Sequence, residues 1–204
     1  MNTVFNQNNV NDCLNKIFNL YQKYGSKDYI GEEMTQTEHM VQGAMFAENN
    51  GESLDVVLSI FLHDIGHLLE LELADELKDK SNNQRTMGDF GAMNHETKGR
   101  IFLENLGIPY PIPQLVENHV VTKRYLVCIN KNYYNNLSEA SKKTLEYQGG
   151  PMSAEEALLF ERNPLFAKSL KVREYDEKSK LKNLKLKPLE YYRDLLKRYL
   201  IGDY

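Results

Sequence analysis

Apolar residues return at helical spacing along most of the 204-residue chain. Val10, Leu14, Phe18 and Tyr21 form one stripe, Met40, Ala44 and Ala47 a second, and Leu54, Leu58 and Leu62 a third. A period near 3.6 residues places each set on one helix face, whereas the alternation of a half-buried strand is almost absent. The run from Ile112 to Ile129 predicts a longer helix. Pro113 sits in its first turn, where a missing N–H costs nothing, and Leu115, Val116, Val120 and Leu126 turn inward. Further helices are predicted over 138–147, over 153–162 behind Ser153 with Glu156 completing a capping box, over 164–176, and over 188–200 behind Pro188. Two polar stretches interrupt the series, GSKDYIGEEMT at 25–35 and the segment from about 70 to 94. In a helical domain such connections tend to carry function. The fold class that follows is all-α. With no Pro-, Gly- or Ser-rich linker, the whole of 1–204 reads as one domain.

Composition narrows the partners. The 25 basic and 29 acidic residues leave a net charge of −4, and the basic ones are dispersed rather than gathered into a stripe, so no nucleic-acid partner is expected. The start, MNTVFNQNNVNDCL, has neither a basic region nor an apolar one, and the longest strongly apolar run, VVLSIFL at 56–62, is too short to span a bilayer. A cytoplasmic protein with no membrane partner is expected, as a monomer or a small homo-oligomer. Cys13 and Cys128 are the only cysteines, which leaves no disulfide framework and no thiolate metal site. Any metal must be held by histidine and carboxylate.

The five histidines, His39, His63, His67, His95 and His119, each fall on a predicted helix or at its start. A single imidazole on an apolar face is ordinarily a hydrogen-bonded core residue. Several helices each turning one inward is a different situation, because every ring brings a donor and an acceptor that must be satisfied. A shared metal centre satisfies them together. His63 and Asp64, expected inside the third helix, project about a third of a turn apart and can reach one cavity, where a carboxylate can bridge two cations. Imidazole with carboxylate suits iron, manganese, zinc or nickel. VREYDEKS at 172–179 offers a late acid, Asp176, with Arg173 one turn before it.

The order His39, His63-Asp64, His95, His119, Asp176 resembles the HD-domain superfamily in its dinuclear form, over roughly residues 36–180. The resemblance implies a helical bundle with two metals in its core. One would be held by His39, His63, Asp64 and Asp176, the other by His95, His119 and the bridging Asp64. Most HD-domain proteins are phosphohydrolases, so a dinuclear hydrolase of a nucleotide or small phosphate ester is the alternative reading.

Several short motifs instead resemble the PhnZ-like branch, mixed-valent diiron oxygenases that break the carbon–phosphorus bond of 2-amino-1-hydroxyethylphosphonate. In YIGEEMTQTEH at 29–39, the resemblance makes Tyr29 a group that occupies an iron position at rest and leaves for substrate, and Glu32 the receiver of the substrate amine. HDIGH adds His67 as an anion contact, although hydrolases share that pentad. HVVTKRYL at 119–126 sets Lys123 four residues after His119, on the same face and within reach of a phosphonate oxygen, with Arg124 turned to solvent. NLSEASKKTLEYQGGPMS at 136–153 offers Ser141 to the phosphonate, and its QGGPM run resembles the family's turn between helices. Arg173 can make paired bonds to phosphonate oxygens.

The resemblance thus implies two iron ions, Fe(II)/Fe(III), with O2 as co-substrate and a small zwitterionic phosphonate as substrate. Tyr29, Glu32, His67 and Lys123 would take part in catalysis. Two aspartates against such an iron pair leave the site positive, which suits an anion, and Glu32 then suits an ammonium at the substrate's far end. A trimethylammonium there would call for an aromatic cage, with Tyr29, Phe90 or Tyr125 as its candidate parts. The long segment between Gly66 and His95 can reshape the entrance.

Overall fold

The computed structural model describes residues 7–29, 31–77 and 93–204. Among these residues the regular structure is helical: α1 (Gln7–Tyr24), α2 (Gln36–Asn49), α3 (Leu54–Leu62), α4 (Ile65–Glu76), α5 (His95–Asn105), α6 (Ile112–Ile129), α7 (Lys131–Asn136), α8 (Glu139–Tyr147), α9 (Ala154–Glu161), α10 (Phe166–Lys178) and α11 (Leu189–Ile201). β geometry among them is limited to an isolated bridge between Asp28 and Thr35.

The third helix is apolar on every side, and such a helix is stable only when surrounded. From Val56 to Leu62 no residue is more than 2% exposed, and α2, α6, α10 and α11 all pack on it. Tyr21 of α1, Phe61 of α3 and Tyr192 of α11 stack almost parallel, with 4.7 Å between successive ring centroids. Burying each such side chain contributes about 1.5–3 kcal/mol. The Tyr21 hydroxyl donates to the Phe61 carbonyl, which answers that polar group inside the stack. A smaller cluster of Tyr125, Met152, Ala157 and Phe160 holds α9 against α6.

Local signals set the ends of the elements that matter for the site. Thr35 caps α2 through the Glu38 N–H, and Glu38 returns a bond to the Thr35 N–H at 2.7 Å, which fixes the first turn of the helix that carries His39. The Ser153–Glu156 box starts α9 as its sequence predicts. The α8 helix ends in a Schellman turn, in which the Gly150 N–H bonds the Leu145 carbonyl at 2.9 Å and Gly149 takes φ +92.

Three expectations need correction. His63 and Asp64 do not lie inside one helix: α3 ends at Leu62, His63 caps it, and Asp64, at φ −102 and ψ 14, caps the start of α4. The His63 N–H and Nδ1 both turn to the Ile60 carbonyl, which tightens the last turn and bends the chain at the dipeptide. Residues 70–76 are helical rather than loop, because ELELADE is rich in helix formers and continues α4; residues 78–92 lie outside the described residues. Arg124 does not simply face solvent: its Nε donates to the Gly150 carbonyl at 2.9 Å and its Nη2 meets Glu156, fastening the turn that follows α8.

Candidate metal centre

Five segments converge on one buried point. The α2 helix delivers His39, the α3–α4 bend His63 and Asp64, the first residue of α5 His95, the middle of α6 His119, and the end of α10 Asp176. None of the six is more than 4% exposed. Their ligand atoms form two groups, His39 with His63 and Asp176, and Asp64 with His95 and His119. Within each group the atoms lie within 4.8 Å of one another. Gly66 permits this closeness, since a Cβ there would sit 1.9 Å from the His95 carbonyl oxygen.

The hydrogen bonds settle which nitrogen faces inward. His39 donates Nδ1–H to the Ser179 carbonyl at 3.0 Å, His63 to Ile60 at 2.7 Å and His119 to Val116 at 2.5 Å. A neutral ring that donates from Nδ1 carries its lone pair on Nε2. Yet Nε2 of His39 lies 3.1 Å from Nε2 of His63, and Nε2 of His95 lies 3.1 Å from Nε2 of His119. Where both rings donate from Nδ1, as His39 and His63 do, the two Nε2 lone pairs face each other and a cation between them relieves the repulsion; backbone carbonyls fixing the far nitrogen are the usual support of a metal-binding imidazole. The donor set therefore fits metal.

Asp64 spans both groups. Its Oδ2 is 3.3 Å from His63 Nε2 and 3.6 Å from His39 Nε2, while its Oδ1 is 3.4 Å from His95 Nε2 and 3.5 Å from His119 Nε2. Burial pushes the Asp64 and Asp176 carboxyls up, but the surrounding imidazoles, with Arg173 beside Asp176, outweigh it and hold both well below the usual range. Burial pushes His63 down, and Asp64 and Asp176 outweigh it, holding His63 well above the usual range. His119 is held well below by burial and by His63. The positive charge favoured on His63 is among the causes that disfavour one on His119.

A cavity of about 50 Å³ opens onto this centre. It is lined by all six residues expected to meet substrate: Tyr29, Glu32, His67, Lys123, Ser141 and Arg173. Tyr29 stacks on His39 with centroids 3.9 Å apart, and His67 on His95 at 4.0 Å. Burial, then His95, brings His67 down to about 3, so its ring is neutral. Lys123 donates from Nζ to Thr144 Oγ1 at 2.9 Å, and burial, then Arg173, lowers it to about 7.

The sequence reading missed other residues of the lining. Gln36 and Gln148 each present a buried carbonyl oxygen with no hydrogen-bond partner, Thr144 anchors Lys123, and Lys180 donates to Glu32 at 2.6 Å. Helical spacing gave a signal for Gln36, one turn before His39, and for Thr144 and Gln148, which follow Ser141 along one face of α8. Lys180 had none. Of the candidates named for an aromatic cage, Tyr29 lines the cavity, Tyr125 packs against Phe160 and Phe166 and donates to Glu161, away from it, and Phe90 lies outside the described residues.

Residues 37–160 match the HD domain. The chain belongs to the HD-domain family. An uncharacterized protein of Acanthamoeba polyphaga mimivirus is 49% identical over 187 residues, covering 92% of this chain and 81% of that one. The 1-hydroxy-2-(trimethylamino)ethylphosphonate dioxygenase (glycine-betaine-forming) of Leisingera caerulea is 35% identical over 95% of this chain and 91% of its own length. The hydroxymethylphosphonate dioxygenase of Gimesia maris is 34% identical over 86% of this chain and 82% of its own. This HD domain is thus similar along most of its length to proteins named as phosphonate dioxygenases.

Proposed function

We propose that this HD-domain protein is an iron-dependent oxygenase. It would use O2 to cleave the carbon–phosphorus bond of a small 1-hydroxy-2-aminoalkylphosphonate, releasing phosphate and an amino acid such as glycine. The observation that carries the reading is the junction of two three-ligand groups at Asp64, beneath a cavity lined by buried cations. The names of the Leisingera and Gimesia relatives favour oxygenation over hydrolysis.

His39, His63, Asp64 and Asp176 would hold one iron, and His95, His119 and Asp64 the other. A mixed-valent pair would supply the activation of dioxygen. The chain's own residues do the rest. Lys123 and Arg173, with Ser141 and His67, hold the phosphonate; the buried charges gain strength because the site excludes water. Glu32 accepts the substrate ammonium. Tyr29, lying over His39, keeps water from that side of the centre until substrate displaces it. Fixing both ends of a short molecule aims its hydroxyl-bearing carbon at the metals.

The test is anaerobic purification with iron, followed by a panel of hydroxyphosphonates and phosphate esters assayed for phosphate release with and without O2. Release from a hydroxyphosphonate only with O2 supports the reading. Equal release without O2 would instead assign a phosphohydrolase.

A further inference from the structure

We infer that Lys180 stands in for the substrate's ammonium and so sets which nitrogen substituents the site accepts. This rests on the oxygenase reading for the identity of the ligands, though not for the geometry.

Lys180 follows α10, four residues after Asp176, and reaches back to Glu32 in the 25–35 segment. Its Nζ lies 2.6 Å from Glu32 Oε1 and 3.0 Å from Ser138 Oγ, and both Lys180 and Glu32 line the cavity above the metal centre. The pair is mostly shielded, with side chains 22% and 18% exposed. An unpaired carboxylate so placed would be costly, and Lys180 provides its counter-charge while the cavity is empty. An incoming ammonium must therefore compete with an ammonium already there.

That competition discriminates by hydrogen bonding. A primary ammonium replaces the Lys180 bond to Glu32 like for like, and Lys180 keeps Ser138 as a partner. Gln36, a residue of the same lining, adds an acceptor: its Nε2 donates to the Asp28 carbonyl, while its Oε1 is buried and unpartnered. A second N–H of a primary ammonium answers that oxygen. A trimethylammonium has no N–H, so it breaks the Lys180 bond without replacing it and leaves Gln36 unsatisfied. The site is thus built for a nitrogen that donates hydrogen bonds. Lys180 is a specificity-determining residue, not a catalytic one.

The experiment is isothermal titration calorimetry of the iron-loaded protein without O2, which reads binding independently of turnover. The ligands are 2-amino-1-hydroxyethylphosphonate, its N-trimethyl analogue and hydroxymethylphosphonate. The unchanged protein is expected to favour the primary amine over the trimethyl compound by about tenfold or more. Lys180→Met should narrow that ratio at least about threefold, Lys180→Arg should preserve it, and hydroxymethylphosphonate, with no nitrogen to compete, should move least. Iron content and melting temperature of each variant confirm that it is folded. An equal ratio in Lys180→Met and the unchanged protein, an equal ratio in Lys180→Arg and Lys180→Met, or a preference for the trimethyl compound overturns the inference.

Parallel turnover assays separate the two proposals. Binding with the expected pattern but no oxygen-dependent phosphate release sinks the oxygenase reading alone. Oxygen-dependent release with an unmoved ratio sinks the role of Lys180 alone. Failure of every phosphonate to bind sinks both.

Discussion

Arg173 donates from Nη1 to Oδ2 of Asp176 at 2.5 Å, and Asp176 turns its other oxygen, Oδ1, toward His39 and His63 at 3.2 and 3.5 Å. The same guanidinium is held from behind by Glu177 and by the Tyr133 hydroxyl. It is therefore a fixed brace of a candidate ligand as well as a wall of the cavity.

Arg173→Lys should consequently lose more than anion affinity. Lysine keeps the charge but cannot fork between Asp176 and Glu177, so Asp176 is left free to turn. Removing such outer support typically weakens a metal about 10- to 100-fold. Iron per chain, measured after dialysis against a weak chelator, is expected to fall from two toward one. Retention of both irons with a change in substrate affinity alone would show that Arg173 acts only on the ligand.

Stripping metal from the protein should lower its melting temperature, because the Nε2 atoms of His39 and His63 are left facing each other at 3.1 Å. A ligand present at a thousandfold its Kd stabilises the folded state by about 4 kcal/mol. For a chain of this size that corresponds to roughly 10 °C. Calorimetry with and without chelator measures the shift, and His63→Ala, which removes a ligand from one of the two groups, should reduce it. Identical curves for stripped and loaded protein would mean that the six side chains hold no metal.

Much of this arrangement was legible in the chain, and the exceptions have physical causes. Period 3.6 located α2, α3 and α6, and capping residues located α9. The break at His63–Asp64 was hidden because VVLSIFLHDIGHLLE favours helix on both sides. The bend is made by His63 turning to the Ile60 carbonyl, within a centre assembled from four other segments. The candidate ligands stood out as a scarce residue type recurring on successive helices. Lys180 could not stand out, because it is one of several lysines in KSKLKNLKLK and its partner Glu32 lies 148 residues away. Charge pairs across that separation are products of the fold and leave no periodic trace.

Phosphonate binding should depend on pH through Lys123. Its pKa of about 7 means that the ammonium prevails below neutrality and the neutral amine above it. Only the ammonium attracts the phosphonate oxygens, so affinity falls as pH rises through 7, by up to about tenfold per unit once the amine predominates. Substrate binding, which favours the charged form, moves this transition upward. Lys123→Arg stays charged throughout and should show a flatter dependence between pH 6.5 and 8.5, while the substrate's own ionisation is common to both proteins. Superimposable curves would remove Lys123 from the anion contact.

Gly66→Ala tests whether the approach of α4 to α5 is what brings the second group of ligands together. A Cβ at position 66 would lie 1.9 Å from the His95 carbonyl oxygen and 2.6 Å from its carbon, so backbone rather than a flexible side chain must yield. Forcing the helices apart costs about 3 kcal/mol by comparison with other overpacked cores. It also carries His95 away from His119 and Asp64, while the nearest atoms to that Cβ all belong to His95 and none to His39, His63 or Asp176. The expected result is a folded but less stable protein that retains one iron and has lost oxygen-dependent phosphate release. Metal analysis beside a melting curve decides it. Two irons retained at full stability would show that the tight contact at Gly66 is not what sets the geometry of the centre.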